Sequence, residues 1–532
     1  MVDPAPPSGV NERGTYLPGS RGRLAPPRQW LLLLAVFVIA TCGLIYELIA
    51  GTLASYLLGD SVTQFSTIIG VYLFSMGIGS WLSKFVEGNL LRWFIRVELL
   101  VGLVGGFSAP LLFVLFEYVA SFRLMLYSLV GLTGILVGLE IPLLMRILED
   151  QLSFKELVSK VFTFDYIGAL LASLIFPLVL VPYLGLVRSS VLFGLLNVGV
   201  AGYLLAQFAE TRPYRRSMGW AVALSVLALL AAFIGADRIV TFAETATFRD
   251  TVIFSKNTPY QRLVLTRNAH EMRLYLNGNL QFSSVDEYRY HEALVHPAMR
   301  QLPQASRVLV LGGGDGLAVR ELLRYPHLRQ IDLVDLDPAM TRLFRQNTLL
   351  TTLNANALNH AKVRVWNDDA YNWVRTDTTR YDLIVMDFPD PSNYSVGKLY
   401  STAFYRELPR LLRPGGRMVV QSTSPFMGRR SFWCIVHTLQ AVGFQTQPYH
   451  AYVPSFGEWG YVLAYPSAGN VPGDPFARAT GTLPAGLRYV NAQTLGEMGN
   501  FPPDMAELPT DVNRLNNQVL VRYFEEDWGK WQ

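Results

Sequence analysis

The chain has 532 residues, 51% hydrophobic and 16% charged, with a formal net charge of +4. That balance is too apolar for an ordinary soluble enzyme, and its thin positive charge offers no dense basic run, so no nucleic-acid partner is expected. Two cysteines, Cys42 and Cys434, are too few for a disulfide framework or a thiolate cluster. His270, His296, His437 and His450 share no ligand-like spacing, so no metal is expected.

Residues 1–29, rich in Pro, Gly and Arg, read as a disordered cytoplasmic tail. Seven apolar stretches follow, near 30–52, 66–86, 96–118, 124–146, 161–183, 187–208 and 219–236, each near the length of about 20 residues that crosses a bilayer as a helix. Residues 30–236 are therefore expected to form an α-helical multi-pass domain in the cell (plasma) membrane, in contact with its lipid. A cleaved signal peptide does not fit a first stretch that follows a tail and precedes six more. Basic residues gather in the tail (Arg13, Arg21, Arg23, Arg28) and after every second stretch: Lys84 and Arg92, then Arg146, Lys155 and Lys160, then Arg212, Arg215 and Arg216. The positive-inside rule makes the tail cytoplasmic, and seven crossings then leave the rest of the chain extracytoplasmic. Glu47, Glu140 and Asp165 lie inside the stretches. Intramembrane acids are costly and often functional; hydrogen bonding among small-residue faces such as "SMGIGS" is the plainer account.

The pattern changes near residue 237. "QRLVLTRN" and "EMRLYLNGNLQF" alternate apolar and polar residues around "NG", the signature of a small antiparallel hairpin region over 237–300. Over 301–466 short apolar strands alternate with amphipathic helices: "RVLVLGGG", "QIDLVDLD", "KVRVWNDD", "YDLIVMDF" and "RMVVQSTS" each precede a helical segment. This predicts a mainly parallel α/β sheet covered on both faces, with ligands at the carboxyl ends of its strands. Residues 467–532 form an extension with no function legible in it.

Those strand ends are acidic. The first runs into "LGGGDG" (311–316), where Gly312, Gly313 and Gly314 allow a tight turn and close backbone approach to a ligand, beside Asp315. The second ends at Asp335 and Asp337, about 20 residues on, where an acid holds ribose hydroxyls. The third ends at Asp368 and Asp369, the fourth in "DFPDP" with Asp387 and Asp390. No G-K-[ST] follows the glycines, so a nucleoside ligand carrying positive charge fits better than ATP.

In "PYQRLVL", "LNGNLQFSSVDEYRYHEALVHP", "VLVLGGGDG", "DLVDLDP", "NDDAYNW", "DFPDP", "LYSTAFYREL" and "LRYVN", taken in order over about 255–500, the chain resembles the polyamine aminopropyltransferases, of which spermidine synthase is the central member. The resemblance implies a Rossmann-like, class I methyltransferase-type domain that transfers an aminopropyl group from decarboxylated S-adenosylmethionine to a diamine, usually putrescine. No permanently bound cofactor is implied, and a homodimer is common in the family. It implies donor contacts from Gln261, Gly312, Gly314, Asp335, Asp369 and Ala370, amine contacts from Tyr290, His291, Asp315 and Asp390, and Asp387 as proton acceptor. Phe388 and Pro389 stand where many members have a hydroxyl residue between the acids. The loop "VPSFGEWG" has Phe456 in place of a tyrosine and adds Glu458, which is expected to pair with a second ammonium. An S-adenosylmethionine-dependent methyltransferase, or a polyamine-binding carrier or sensor without turnover, remain alternatives on the sequence.

Overall fold

The computed structural model describes residues 26–58, 61–116, 119, 121–149, 152–239, 248, 250–466 and 481–531. Of the expected tail, 1–25 lies outside the described residues, as do 467–480 and 532 of the expected extension. The chain divides into two compact units, Met1–Thr247 and Phe248–Gln532.

The first unit is helical: α1 (Pro26–Leu58), α2 (Ser61–Leu82), α3 (Leu90–Leu115), α4 (Phe122–Leu148), α5 (Phe154–Ile175), α6 (Gly185–Gln207) and α7 (Arg215–Ile234). Side-chain caps start two of them, with Asn89 accepting from the Arg92 N–H and Ser153 from that of Glu156. α1 packs against α2, α4, α5 and α6 and lends the core Val36, Ile39, Ile45, Ile49 and Leu53. α2 and α4 approach closely through Ser75, Gly79, Gly134 and Gly138, so the "SMGIGS" face does serve helix packing. Among the described residues, six helices are long and apolar enough to cross a membrane by length and composition. One of them is a 54-residue run, Phe154–Gln207, which holds two of the seven expected stretches. Inside it a π-helical segment, Phe176–Leu184, joins α5 to α6. Pro177 and Pro182 withdraw backbone donors there, and Gly185 at φ +73° interrupts the helical backbone.

The second unit holds two sheets. The first is antiparallel, in the order β1 (Thr251–Asn257), β2 (Arg262–Arg267), β3 (Met272–Leu276), β4 (Asn279–Ser283). Asn277 and Gly278, both at positive φ, turn β3 into β4 as the "NG" pair predicts. The helix α8 (Glu287–Arg300) then leads into β5 (Arg307–Gly312), α9 (Leu317–Leu322), β6 (Gln330–Asp335), α10 (Pro338–Gln346), β7 (Val363–Asn367), α11 (Ala370–Thr376), β8 (Tyr381–Asp387), β9 (Leu412–Gln421), α12 (Arg429–Gln440), β10 (Phe444–Val453) and β11 (Gly457–Pro466). The sheet order is β10-β11-β9-β8-β5-β6-β7, with β7, β6, β5, β8 and β9 parallel and a closing antiparallel hairpin of β10 and β11. This is the Rossmann-like, class I methyltransferase topology. Two apolar layers, one around Val308, Val310 and Leu333 and one around Leu309, Ile384 and Phe432, cover the sheet on its two faces. The last helix, α13 (Val519–Trp528), docks on α12, where Asp527 accepts from the Arg430 and Ser431 N–H groups and pairs with the Arg430 guanidinium.

Candidate active site

The site grows from the carboxyl ends of the parallel strands. β5 and β8 run side by side with Gly312 opposite Asp387, and the Gly313 N–H donates to the Asp387 carbonyl at 3.0 Å. Pairing of two strands thus fixes the glycine turn against the fourth strand's acid. In the turn, Gly314 donates its N–H to Asp335 Oδ2 at 3.1 Å. A Cβ on Gly314 would stand 2.5 Å from that oxygen, which is why glycine is required. Asp335 Oδ1 accepts the Asp337 N–H, and Asp337 in turn receives Thr258 and the Gln261 amide, at 2.9 and 3.1 Å. Gln261 is thereby linked through Asp337 to Asp335 and the glycine turn. Asp369 caps α11 through the Tyr371 N–H and pairs with Lys398 Nζ at 2.7 Å, with Ala370 buried next to it.

A second cluster is assembled by α8 and the loop after β8. Tyr290 donates its hydroxyl to Asp387 Oδ1 at 2.7 Å, while Oδ2 faces Gly313. Tyr290 itself is boxed by Phe456, Trp459 and Tyr461. His291 Nδ1 meets Glu287 Oε2 at 2.9 Å, and Glu287 also pairs with Arg320 at 2.8 Å. Burial alone would lower the His291 pKa, but the Glu287 carboxylate outweighs it and lifts it to about 9, so the ring is cationic at neutral pH. Burial pushes Asp315 up to about 6, with His291 opposing and Asp387 adding to the rise. Asp387 is also raised by burial, against the pull of His291 and Tyr290. Asp335 and Asp390 are each raised to about 7, again by burial.

Asp390 Oδ1 makes no hydrogen bond, although the Gln421 and Thr423 side chains lie near enough to oppose the rise in its pKa. Its neighbourhood is rigid: Gln421 donates to the Phe388 carbonyl and to Tyr400 Oη, and Tyr400 donates to the Pro389 carbonyl. Thr423 lies just beyond β9 at φ +56°, a left-handed position that costs a β-branched residue energy, and its buried Oγ1 is also unpartnered. Glu458 is not brought to this group. It pairs with His450 at 2.8 Å and lines a separate cavity of about 440 Å³ with Phe426, Tyr452, Asp504 and Trp531.

Sequence reasoning missed Glu287 and Arg320, Gln421, Thr423 and Tyr400. Glu287 was detectable as the residue one helical turn before His291. The "QST" run at the carboxyl end of an apolar strand was a fainter signal of the same edge.

The Spermine/spermidine synthase domain family matches residues 287–471. Polyamine aminopropyltransferase 2 of Ralstonia nicotianae is 54% identical over 505 residues, covering 94% of this chain and 98% of its own. The polyamine aminopropyltransferase of Leptospira interrogans is 49% identical over 504 residues, covering 94% and 99%. The crystal structure of spermidine synthase from Thermotoga maritima is similar with a TM-score of 0.43 at 22% identity, covering 52% of this chain and 88% of that one. On its near full-length identity to these relatives, the chain belongs to the polyamine aminopropyltransferases.

Proposed function

We propose that the second unit transfers the aminopropyl group of decarboxylated S-adenosylmethionine to putrescine, giving spermidine and methylthioadenosine. The observation that carries this reading is the convergence of Asp315, Asp387 and Asp390 at one sheet edge, with no lysine or arginine paired to them among the described residues. Such a group attracts a cationic acceptor and offsets its repulsion from a cationic donor. Asp335 and the glycine turn suit the ribose and the close approach of the nucleoside.

An alkyl ammonium has a pKa of about 10.4, so the acceptor arrives protonated, and only a neutral nitrogen can attack. Asp387 takes the proton. The burial that raises its pKa narrows the gap to the ammonium, and the Tyr290 hydroxyl holds Oδ1 so that Oδ2 is left for the amine. The nitrogen lone pair then forms the new C–N bond as the C–S bond breaks. Its electron pair returns to sulfur, which leaves as the neutral thioether of methylthioadenosine. Asp390, with an unpartnered buried oxygen, holds and orients an ammonium.

The first unit is read as embedded in the plasma membrane, on the support of its six apolar helices and of large apolar side chains turned outward, among them Phe74, Leu124, Leu170, Leu178 and Ile234. The test of the activity is product mass when the detergent-purified full chain is given putrescine with both the decarboxylated and the intact donor. An added aminopropyl group with methylthioadenosine release is expected. An added methyl group would assign a methyltransferase, and no product a binding protein.

A further inference from the structure

Glu98 on α3 and Glu140 on α4 are 0% and 1% exposed, deeper than any other acid among the described residues of the helical unit. Their carboxyl groups lie within hydrogen-bonding reach of each other. A proton shared between them satisfies one contact at most, and no other group among the described residues hydrogen-bonds to any of their four oxygens. No lysine, arginine or histidine reaches them there. Three more polar groups share this interior: Cys42 and Tyr46 of α1 and Tyr72 of α2 each interact electrostatically with Glu140. Asn197 of α6 donates its amide to Tyr46 Oη at 3.2 Å, and its own Oδ1, fully buried, is a further acceptor without a donor.

Two carboxylates, an amide oxygen and tyrosine rings make a site rich in acceptors and poor in donors. Leaving it uncompensated in a low-dielectric interior would be costly. Its complement is a group with several N–H donors, one positive charge and an apolar stem, which is an alkyl ammonium. A divalent metal fits less well, because no group of three or more His, Cys, Asp or Glu able to hold one occurs among the described residues.

We propose that the helical unit contains a binding site for a protonated aliphatic amine, formed by Glu98, Glu140 and Asn197. The preference for an amine over an inorganic monovalent cation rests on the aminopropyl-transfer reading of the second unit. Equilibrium dialysis of the full chain in detergent against labelled putrescine, without donor, tests it. Two bound equivalents are expected, one lost in Asp390→Asn and the other in Glu98→Gln/Glu140→Gln. The double variant is expected to release methylthioadenosine at the unaltered rate when donor is supplied. Glu98→Asp keeps the charge and is expected to keep the second equivalent, which separates lost binding from a collapsed bundle. A single equivalent in the wild type overturns the proposal, as does retention of both in the double variant. So does displacement of the second equivalent by sodium chloride but not by spermidine. Failure of the aminopropyl-transfer reading is distinguishable, since the wild type would then release no methylthioadenosine at all.

Discussion

Burial disfavours charge on both Asp390 and His291, and only at His291 does a paired carboxylate, Glu287, outweigh it. With its pKa lifted to about 7, Asp390 loses its charge as pH falls through that value, and with it the pairing to an ammonium. The acceptor KM is therefore expected to rise below about pH 7. Asp390→Asn should raise that KM roughly 10- to 100-fold, the loss of a charge-assisted hydrogen bond, and flatten the acid limb. Because Asp335 titrates near the same pH, methylthioadenosine affinity must be followed in parallel; Asp390→Asn is expected to leave it unchanged. His291, raised from its ordinary 6.5 to about 9, contributes stability that is fully present below about 6.5 and is lost as pH rises through about 9. Glu287→Gln leaves the buried His291 without its carboxylate, while Arg320 keeps Glu321; breaking a buried pair in this way is worth about 3–5 kcal/mol. Thermal unfolding should show the variant melting lower at neutral pH and with a shallower fall toward alkaline pH.

At the scale of elements, the glycine turn joins the acids of two strand ends, since it touches Asp335 through Gly314 and Asp387 through Gly313. Gly314→Ala drives a Cβ into Asp335, so methylthioadenosine binding measured by calorimetry should weaken at least about tenfold, on the scale of one lost hydrogen bond to a charged group. Binding at wild-type affinity would contradict this account of the turn. The five parallel strands were legible because each is a short apolar run ending in acid or polar residues, and the "NG" hairpin because its turn chemistry is local. The hairpin of β10 and β11 was not, as "VPSFGEWG" reads as a functional loop when its register is unseen. In that register Glu458 stands opposite Tyr452, and Trp459 opposite Ala451. Alternation then turns Trp459 toward Tyr290 and Glu458 toward His450. Thr423 was equally hidden, because its backbone strain belongs to the folded chain and has no mark in sequence. Glu98, inside the stretch 96–118, was not singled out with Glu140, because only the packing of α3 on α4 pairs the two.

For the whole molecule, sidedness turns on the run Phe154–Gln207. Its 54 residues would reach about 80 Å as one helix, against a hydrocarbon core of about 30 Å. The break at Gly185 allows two crossings, and with seven in all and a cytoplasmic tail the second unit is expected outside the cytoplasm. Ser467, a natural place for a reporter cysteine, lies outside the described residues, whereas Thr378 is exposed after α11. Thr378→Cys in a Cys42→Ala/Cys434→Ala background is expected to react with an impermeant thiol reagent in intact cells; reaction only after lysis would contradict that orientation. Whichever side it faces, the account of the chemistry stands on Asp387 as proton acceptor. The most direct measurement is the pH–rate profile of Asp387→Asn beside the wild type. At neutral pH the variant should be slower by about 10²- to 10⁴-fold. Its rate should then climb about tenfold per pH unit toward about 10, where solvent supplies the neutral amine, while the wild type levels off. A variant as fast as the wild type at neutral pH, or one whose rate does not rise with pH, would contradict the account.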